Sequence, residues 1–201
     1  MVSRLDTSIL SSTKKPPPPV FPPKHEEDFR LQKLLQSRSS YDSLCTKAYG
    51  EALHDDPSPS VLNIWTDGSC TGRHHWNRRA GAGVFFGPNN LRNSSLRVPG
   101  KQSNNRGELY AILGALVKSA KSRERELRIY SDSVYAIRSI VWWGPRNAAR
   151  GWRCANGDIL KQIAYWLKNR RTPVKFIHVR SHSGIQYNEE ADRLAKLGTS
   201  L

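Results

Sequence analysis

Apolar positions along residues 61–201 follow two periodicities. Val61–Thr66 is a run of β-forming residues closed by Asp67-Gly68, which predicts a strand. Ala80–Gly87 and Leu91–Val98 have the same character and flank Pro88-Asn89-Asn90, a hairpin-type turn, so a three-strand meander is expected. The spacing then changes. Leu109, Ile112, Leu113, Leu116 and Val117 recur at threes and fours within Asn105–Ala120, the signature of an amphipathic helix. Leu127–Ser131 is a predicted strand and Val134–Trp142 a helix. Ile159–Leu167 is a helix with Ile159, Ile163, Trp166 and Leu167 on its apolar side, Val174–Val179 a strand, and Glu189–Leu197 a closing helix. Strands first in hairpins and later separated by helices predict a mixed α/β sheet with helices on its faces.

Residues 1–60 read differently. Lys15–Lys24 is mostly proline, which fixes φ and removes backbone donors, so extended polyproline is expected there. Phe29, Leu31, Leu34 and Leu35 suggest one short amphipathic helix within 26–53, followed by the polar Asp55-Asp56-Pro57-Ser58-Pro59. The expected division is a mostly disordered Pro-rich extension with a short helix over 1–60 and a folded domain over 61–201. No chemistry is assigned to the extension.

Charge sharpens that division. Residues 1–60 hold eight basic and eight acidic side chains, so the whole net charge of +15 falls on 61–201. Such a domain repels itself unless a polyanion neutralises it, which points to nucleic acid. Three cysteines, Cys45, Cys70 and Cys154, form no Cys-x-x-Cys or Cys/His cluster, so neither a zinc site nor a disulfide framework is indicated. No apolar run approaches the roughly 20 residues of a membrane span, and the N-terminus lacks the apolar stretch of a signal peptide. No membrane partner is expected. Residence is expected to be intracellular, in nucleus or cytoplasm, with the mitochondrion left open by the faintly transit-like residues 1–15.

With nine acidic residues in so basic a domain, each placement carries weight. Asp67 and Asp132 each follow a predicted strand, in Trp65-Thr-Asp-Gly-Ser69 and Tyr130-Ser-Asp-Ser133. The crevice beyond the carboxyl ends of strands is where α/β sheets bind ligands; alone, either aspartate would pass as a turn or cap residue. Glu108 precedes Ile112 by four and Leu116 by eight, on the apolar stripe of its helix, where an unpaired charge is costly. Asp192 stands at the margin of the last helix's apolar face, where a surface ion pair with Lys196 at i+4 is an equal alternative. Converging carboxylates want a hard cation such as Mg²⁺ or Mn²⁺, and an acidic metal pocket in a basic protein suggests phosphodiester hydrolysis.

Four blocks make a resemblance specific: Thr66-Asp-Gly-Ser-Cys70, Gln102-Ser-Asn-Asn-Arg-Gly-Glu-Leu109, Tyr130-Ser-Asp-Ser133, and His178-Val-Arg-Ser-His-Ser-Gly184 running to Asn188-Glu-Glu-Ala-Asp-Arg-Leu194. In their order and spacing, residues 61–198 resemble the type 1 ribonuclease H family. The resemblance implies an α/β fold with a mixed five-stranded sheet, a three-strand antiparallel meander plus two parallel strands, with helices on both faces. It implies an endoribonuclease that cuts the RNA strand of RNA/DNA hybrids with two Mg²⁺ ions (Mn²⁺ substituting), leaving 5′-phosphate and 3′-hydroxyl ends. Asp67, Glu108, Asp132 and Asp192 would be the metal ligands, Asp67 and Asp132 bridging the ions. His182 would assist proton transfer, and Asn188 would orient the loop before the last helix and the water near Asp192. For substrate, the resemblance implies backbone contacts from Gly68, Ser69 and Cys70 to the RNA, minor-groove reading by Asn104 and Asn105, and a DNA phosphate pocket near Ser103, Arg106 and Asn156. Trp143 would touch the DNA strand, while Trp142, Trp152 and Trp166 are expected in the core. A monomer is expected.

Departures from the family pattern limit the analogy. The basic segment 142–153 lacks the usual lysine pair and has Asn147 where a second tryptophan is common. Ser181 replaces a glycine before the loop histidine, and Arg73 with His74-His75-Trp76 enlarges the first turn. Two other readings are a catalytically silent nucleic-acid-binding module and a retroelement-derived domain. The presence of all four carboxylates speaks against the first, and a preceding segment of 60 residues, too short for a polymerase, against the second.

Overall fold

The computed structural model describes residues 61–74, 76–180 and 185–201. The proline-rich tract, the helix expected within 26–53 and His182 lie outside the described residues. Strands β1 (Val61–Thr71), β2 (Arg79–Phe85) and β3 (Ser94–Arg97) come first. Helix α1 (Asn104–Lys118), strand β4 (Glu126–Ser131), helices α2 (Val134–Val141), α3 (Gly144–Ala149) and α4 (Gly157–Lys168), strand β5 (Val174–His178) and helix α5 (Gln186–Gly198) follow. The five strands form one sheet in the order β3-β2-β1-β4-β5. β1–β2 and β2–β3 are antiparallel, β1–β4 and β4–β5 parallel, which is the expected meander plus two parallel strands.

Both faces of the sheet are covered. Ile64, Val84 and Ile129 join Leu109, Ile112, Leu116, Ile137, Ile159, Ile163 and Leu167 in the main core, with α1, α2 and α4 on that face. One residue along β1, Trp65 points the other way and meets Tyr187 of α5 and Phe85. This is the period-two alternation of a strand buried on both sides. On the α5 face, β2 carries glycine at 81 and 83. A Cβ on Gly81 or Gly83 would run into the backbone carbonyl of Ala195 or Ala191, so the absence of side chains lets α5 lie directly on the sheet.

Several sequence expectations shift. β1 continues five residues past Thr66, paired with β2 as far as Thr71 opposite Arg79; Asp67 and Gly68 therefore lie inside the strand, since an antiparallel partner outweighs the turn character of Asp-Gly. The third strand is Ser94–Arg97 rather than Leu91–Val98. Asn93 ties off the preceding turn by accepting from Phe86 N and donating to Gly87 O, and Asn89 takes a left-handed φ of 55°. Val117 falls off the apolar stripe and is exposed. The short helix α3 was not foreseen; Pro145 opens it, where its fixed φ suits the first turn. Trp152 and Trp166 pack against the core only in part, and Trp142 is half-buried.

Candidate active site

Asp67 in β1 and Asp132, directly after β4, sit at the same end of two adjacent parallel strands. β1 and β4 pair with Trp65 opposite Tyr130, so two residues further along each chain the carboxylates are neighbours across the strands' carboxyl ends. Glu108 reaches them from the first turns of α1. That approach depends on Gly68, because a Cβ there would overlap the backbone nitrogen of Glu108. Ser103 fixes the start of α1 by accepting from Arg106 N at 3.3 Å, an N-cap. One carboxylate oxygen from each of Asp67, Glu108 and Asp132 lies within 4.8 Å of the others.

This cluster is electrostatically unfavourable by itself. Asp67 is 6 % exposed and Glu108 4 %. Burial, then the charges of Asp132 and Asp192, push the Asp67 carboxyl up from 3.8 to about 7. Glu108 is raised well above its ordinary range by burial, then by Asp67 and Asp132. Gly68 N donates to Asp67 Oδ1 at 2.7 Å and Asn104 Nδ2 to Glu108 Oε1 at 3.3 Å. Glu108 Oε2 is buried without a hydrogen-bond partner. A buried orphan acceptor among mutually repelling oxygens fits a hard divalent cation, which would supply what the protein withholds.

Asp192 joins the same cleft, whose lining also takes in Gly68, Ser69, Cys70, Asn104, Ser133, Asn188 and Glu189. Lys196 Nζ donates to Asp192 Oδ2 at 2.6 Å, so the i+4 ion pair weighed against the metal role is present and the carboxylate faces the cleft as well. Asn188 is buried, with Oδ1 lacking a partner.

The remaining expected contacts divide. Asn105 is exposed and is not among the cleft-lining residues. Ser103, Arg106 and Asn156 do come together. Arg106 is 8 % exposed and its guanidinium grips Asp158 at 2.9 and 2.5 Å, with Nε donating to Pro99 O. Arg106, which the resemblance places near a DNA phosphate pocket, is held here in an ion pair with Asp158. Asn156, in a left-handed φ of 58°, accepts from Arg106 at 3.5 Å and donates to the Tyr135 hydroxyl. Trp143 is 36 % exposed beside Tyr135, in a separate pocket lined also by Arg146, Arg150 and Cys154.

Sequence reasoning did not assign Ser133, Glu189 or His178 to the site. Ser133 caps α2 by accepting from Ala136 N. The His178 ring at Nε2 lies 3.2 Å from the Asp132 carbonyl, bracing the strand end that carries the carboxylate. Only adjacency across β4 and β5, which no local pattern announces, brings these two together.

Residues 59–200 match the RNase H family model. The chain belongs to the ribonuclease H family. Ribonuclease H1 of Mus musculus is 34% identical over 139 residues, 67% of this chain and 49% of the mouse protein; the chain thus spans about half the length of that relative. Ribonuclease H of Nitrosospira multiformis is 33% identical over 142 residues, covering 69% of this chain and 88% of the bacterial protein. Among solved structures, LC9-RNase H1, a type 1 RNase H with the type 2 active-site motif, superposes with a TM-score of 0.58 at 26% identity, covering 73% of this chain and 75% of that one.

Proposed function

We propose that this ribonuclease H family member is a metal-dependent endoribonuclease that hydrolyses the RNA strand of RNA/DNA hybrids, leaving 5′-phosphate and 3′-hydroxyl ends. The observation that carries the reading is the cluster of Asp67, Glu108 and Asp132, one carboxylate oxygen of each within 4.8 Å of the others. Its support is the family match and the +15 charge.

Asp67, Glu108, Asp132 and Asp192 would hold two Mg²⁺ ions, Mn²⁺ substituting. When bound, such ions supply Lewis acidity and clamp attacking and leaving oxygens of an in-line displacement. The chain's own groups do the rest. Glu108, raised in pKa and accepting from Asn104, is aimed at the cluster by α1. Lys196 holds Asp192 at the cleft margin. Gly68, Ser69 and Cys70 present strand backbone to the RNA, with Asn104 at the same edge; detection of 2′-hydroxyls there would distinguish RNA from DNA. His182, in the segment before α5, is proposed to move the proton of the departing oxygen, a task suited to a side chain titrating near neutrality. Trp143 is proposed to stack on the DNA strand.

The test is cleavage of a labelled RNA/DNA hybrid beside single-stranded RNA, duplex RNA and duplex DNA, with Mg²⁺ or chelator. Only the hybrid should be cut, only with metal, and Asp132→Asn should abolish cutting while binding persists. Equal cutting of duplex RNA would refute the substrate assignment, and activity retained by Asp132→Asn would remove the metal site.

A further inference from the structure

At the opposite end of α1 from the carboxylates lies a second cavity, of about 600 Å³, lined by Arg92, Lys118, Lys121, Ser122, Arg123 and Glu124. Four cations face one acid. Lys118, Lys121 and Arg123 are exposed, whereas Arg92 is fixed in place. Its guanidinium lies 4.4 Å over the Phe86 ring, Nε donates to Asn90 Oδ1, and Nη1 donates to Ser122 Oγ at 3.2 Å. A planar donor held by three neutral partners keeps its full charge for a ligand. Glu124 offsets one of the four cations at most, and its Oε2 is buried without a hydrogen-bond partner.

We propose that this cavity is a second phosphate-binding site, one that holds a nucleic-acid backbone away from the carboxylate cleft. The ligand class follows from the donor set: one oriented guanidinium, three mobile cations and a hydroxyl suit a phosphodiester chain, to which they offer charge without reading bases. The site is distinct from the cleft because it lies at the far end of a 15-residue helix, ten residues beyond Glu108, or about 15 Å at 1.5 Å per residue. The proposal stands on these residues alone and does not require the hydrolytic reading.

The test uses the full chain in chelator, which prevents cleavage, and the triple variant Lys118→Glu/Lys121→Glu/Arg123→Glu. All three side chains are exposed, so an unchanged melting temperature verifies folding. A short fluorescent single-stranded oligonucleotide is titrated by anisotropy across a salt series, and amide hydrogen exchange is followed over residues 87–93 and 118–125. The wild type should bind two oligonucleotides and show slowed exchange in those segments. The triple variant should bind one, with the log–log salt slope smaller by about 2 to 3, since each phosphate contact contributes about 0.7 to 0.9. Arg92→Ala should weaken the same site and Glu124→Gln should strengthen it. Exchange unchanged at 118–125 in the wild type, or a salt slope that the triple variant shares with it, would overturn the proposal. Inorganic phosphate at millimolar concentration is the other source of the same chemistry; if it alone reproduces the protection and the oligonucleotide adds nothing, the backbone assignment is wrong.

Discussion

Asp67→Asn should make the metal-free protein more stable while leaving it inactive. Folded Asp67 holds its proton to about pH 7 against 3.8 ordinarily, about three decades of proton affinity, or about 4 kcal/mol at 1.36 kcal/mol per decade. The sign follows from proton uptake. Between about pH 4 and 7 the folded chain retains a proton that the unfolded chain has released, so stability from this group is present on the acid side and is lost as pH rises. The neutral amide removes the charge that Asp132 and Asp192 repel and keeps an acceptor for Gly68 N. Discounting for relaxation of a coupled site, we expect a gain of about 2–4 kcal/mol at pH 8 in chelator and a much smaller one at pH 4. Urea unfolding at both pH values, with the slope m held common, reads this directly. Mg²⁺ should reverse the order at pH 8, stabilising wild type and leaving the variant unmoved. A variant no more stable than wild type at pH 8, or equally stabilised at both pH values, would refute the account of the cluster as a strained, cation-seeking site.

Other outcomes follow from the same geometry. Gly68→Ala should cost more than about 3 kcal/mol and abolish cleavage, because the new Cβ meets backbone of Glu108 rather than a movable side chain; circular dichroism melts and a cleavage assay check both. Asp158→Asn should destabilise by about 1–3 kcal/mol in urea, since it strips charge-assisted bonds from a buried guanidinium. If Arg106 is structural, this variant lowers stability with KM for hybrid little changed, whereas a phosphate-binding role would move KM. Chelation of wild type at pH 8 should lower the melting temperature, and the effect should fade toward pH 5 as Asp67 and Glu108 take up protons.

How much of this was legible depended on whether a signal was local. The helical stripe of Leu109, Ile112 and Leu116 named its own partner face, and Glu108 stood out because it interrupts that stripe. All three leucine and isoleucine positions are fully buried. The end of β1 was misplaced because Asp-Gly carries a strong turn preference, and only the cross-strand register with β2 overrides it. Arg106 stands in a motif block whose resemblance implies a phosphate pocket nearby, but the partner of its guanidinium, Asp158, lies 52 residues on and belongs to no pattern with it.

Asp192 shows where sequence reasoning met two answers that are both physically sound. An i+4 carboxylate–lysine pair on a helix is weakly favourable in water, and the pair with Lys196 forms. Yet α5 approaches β2 backbone to backbone at Gly81 and Gly83, and Asp192 on that helix stands in the wall of the cleft containing Asp67. Tertiary placement therefore decides what the helix pattern could not. Lys196 then acts as a resident cation at the margin, in competition with any divalent ion for the same carboxylate. Lys196→Met should accordingly lower the Mg²⁺ concentration needed for half-maximal thermal stabilisation, and an unchanged midpoint would mean that Asp192 takes no part in holding the ion.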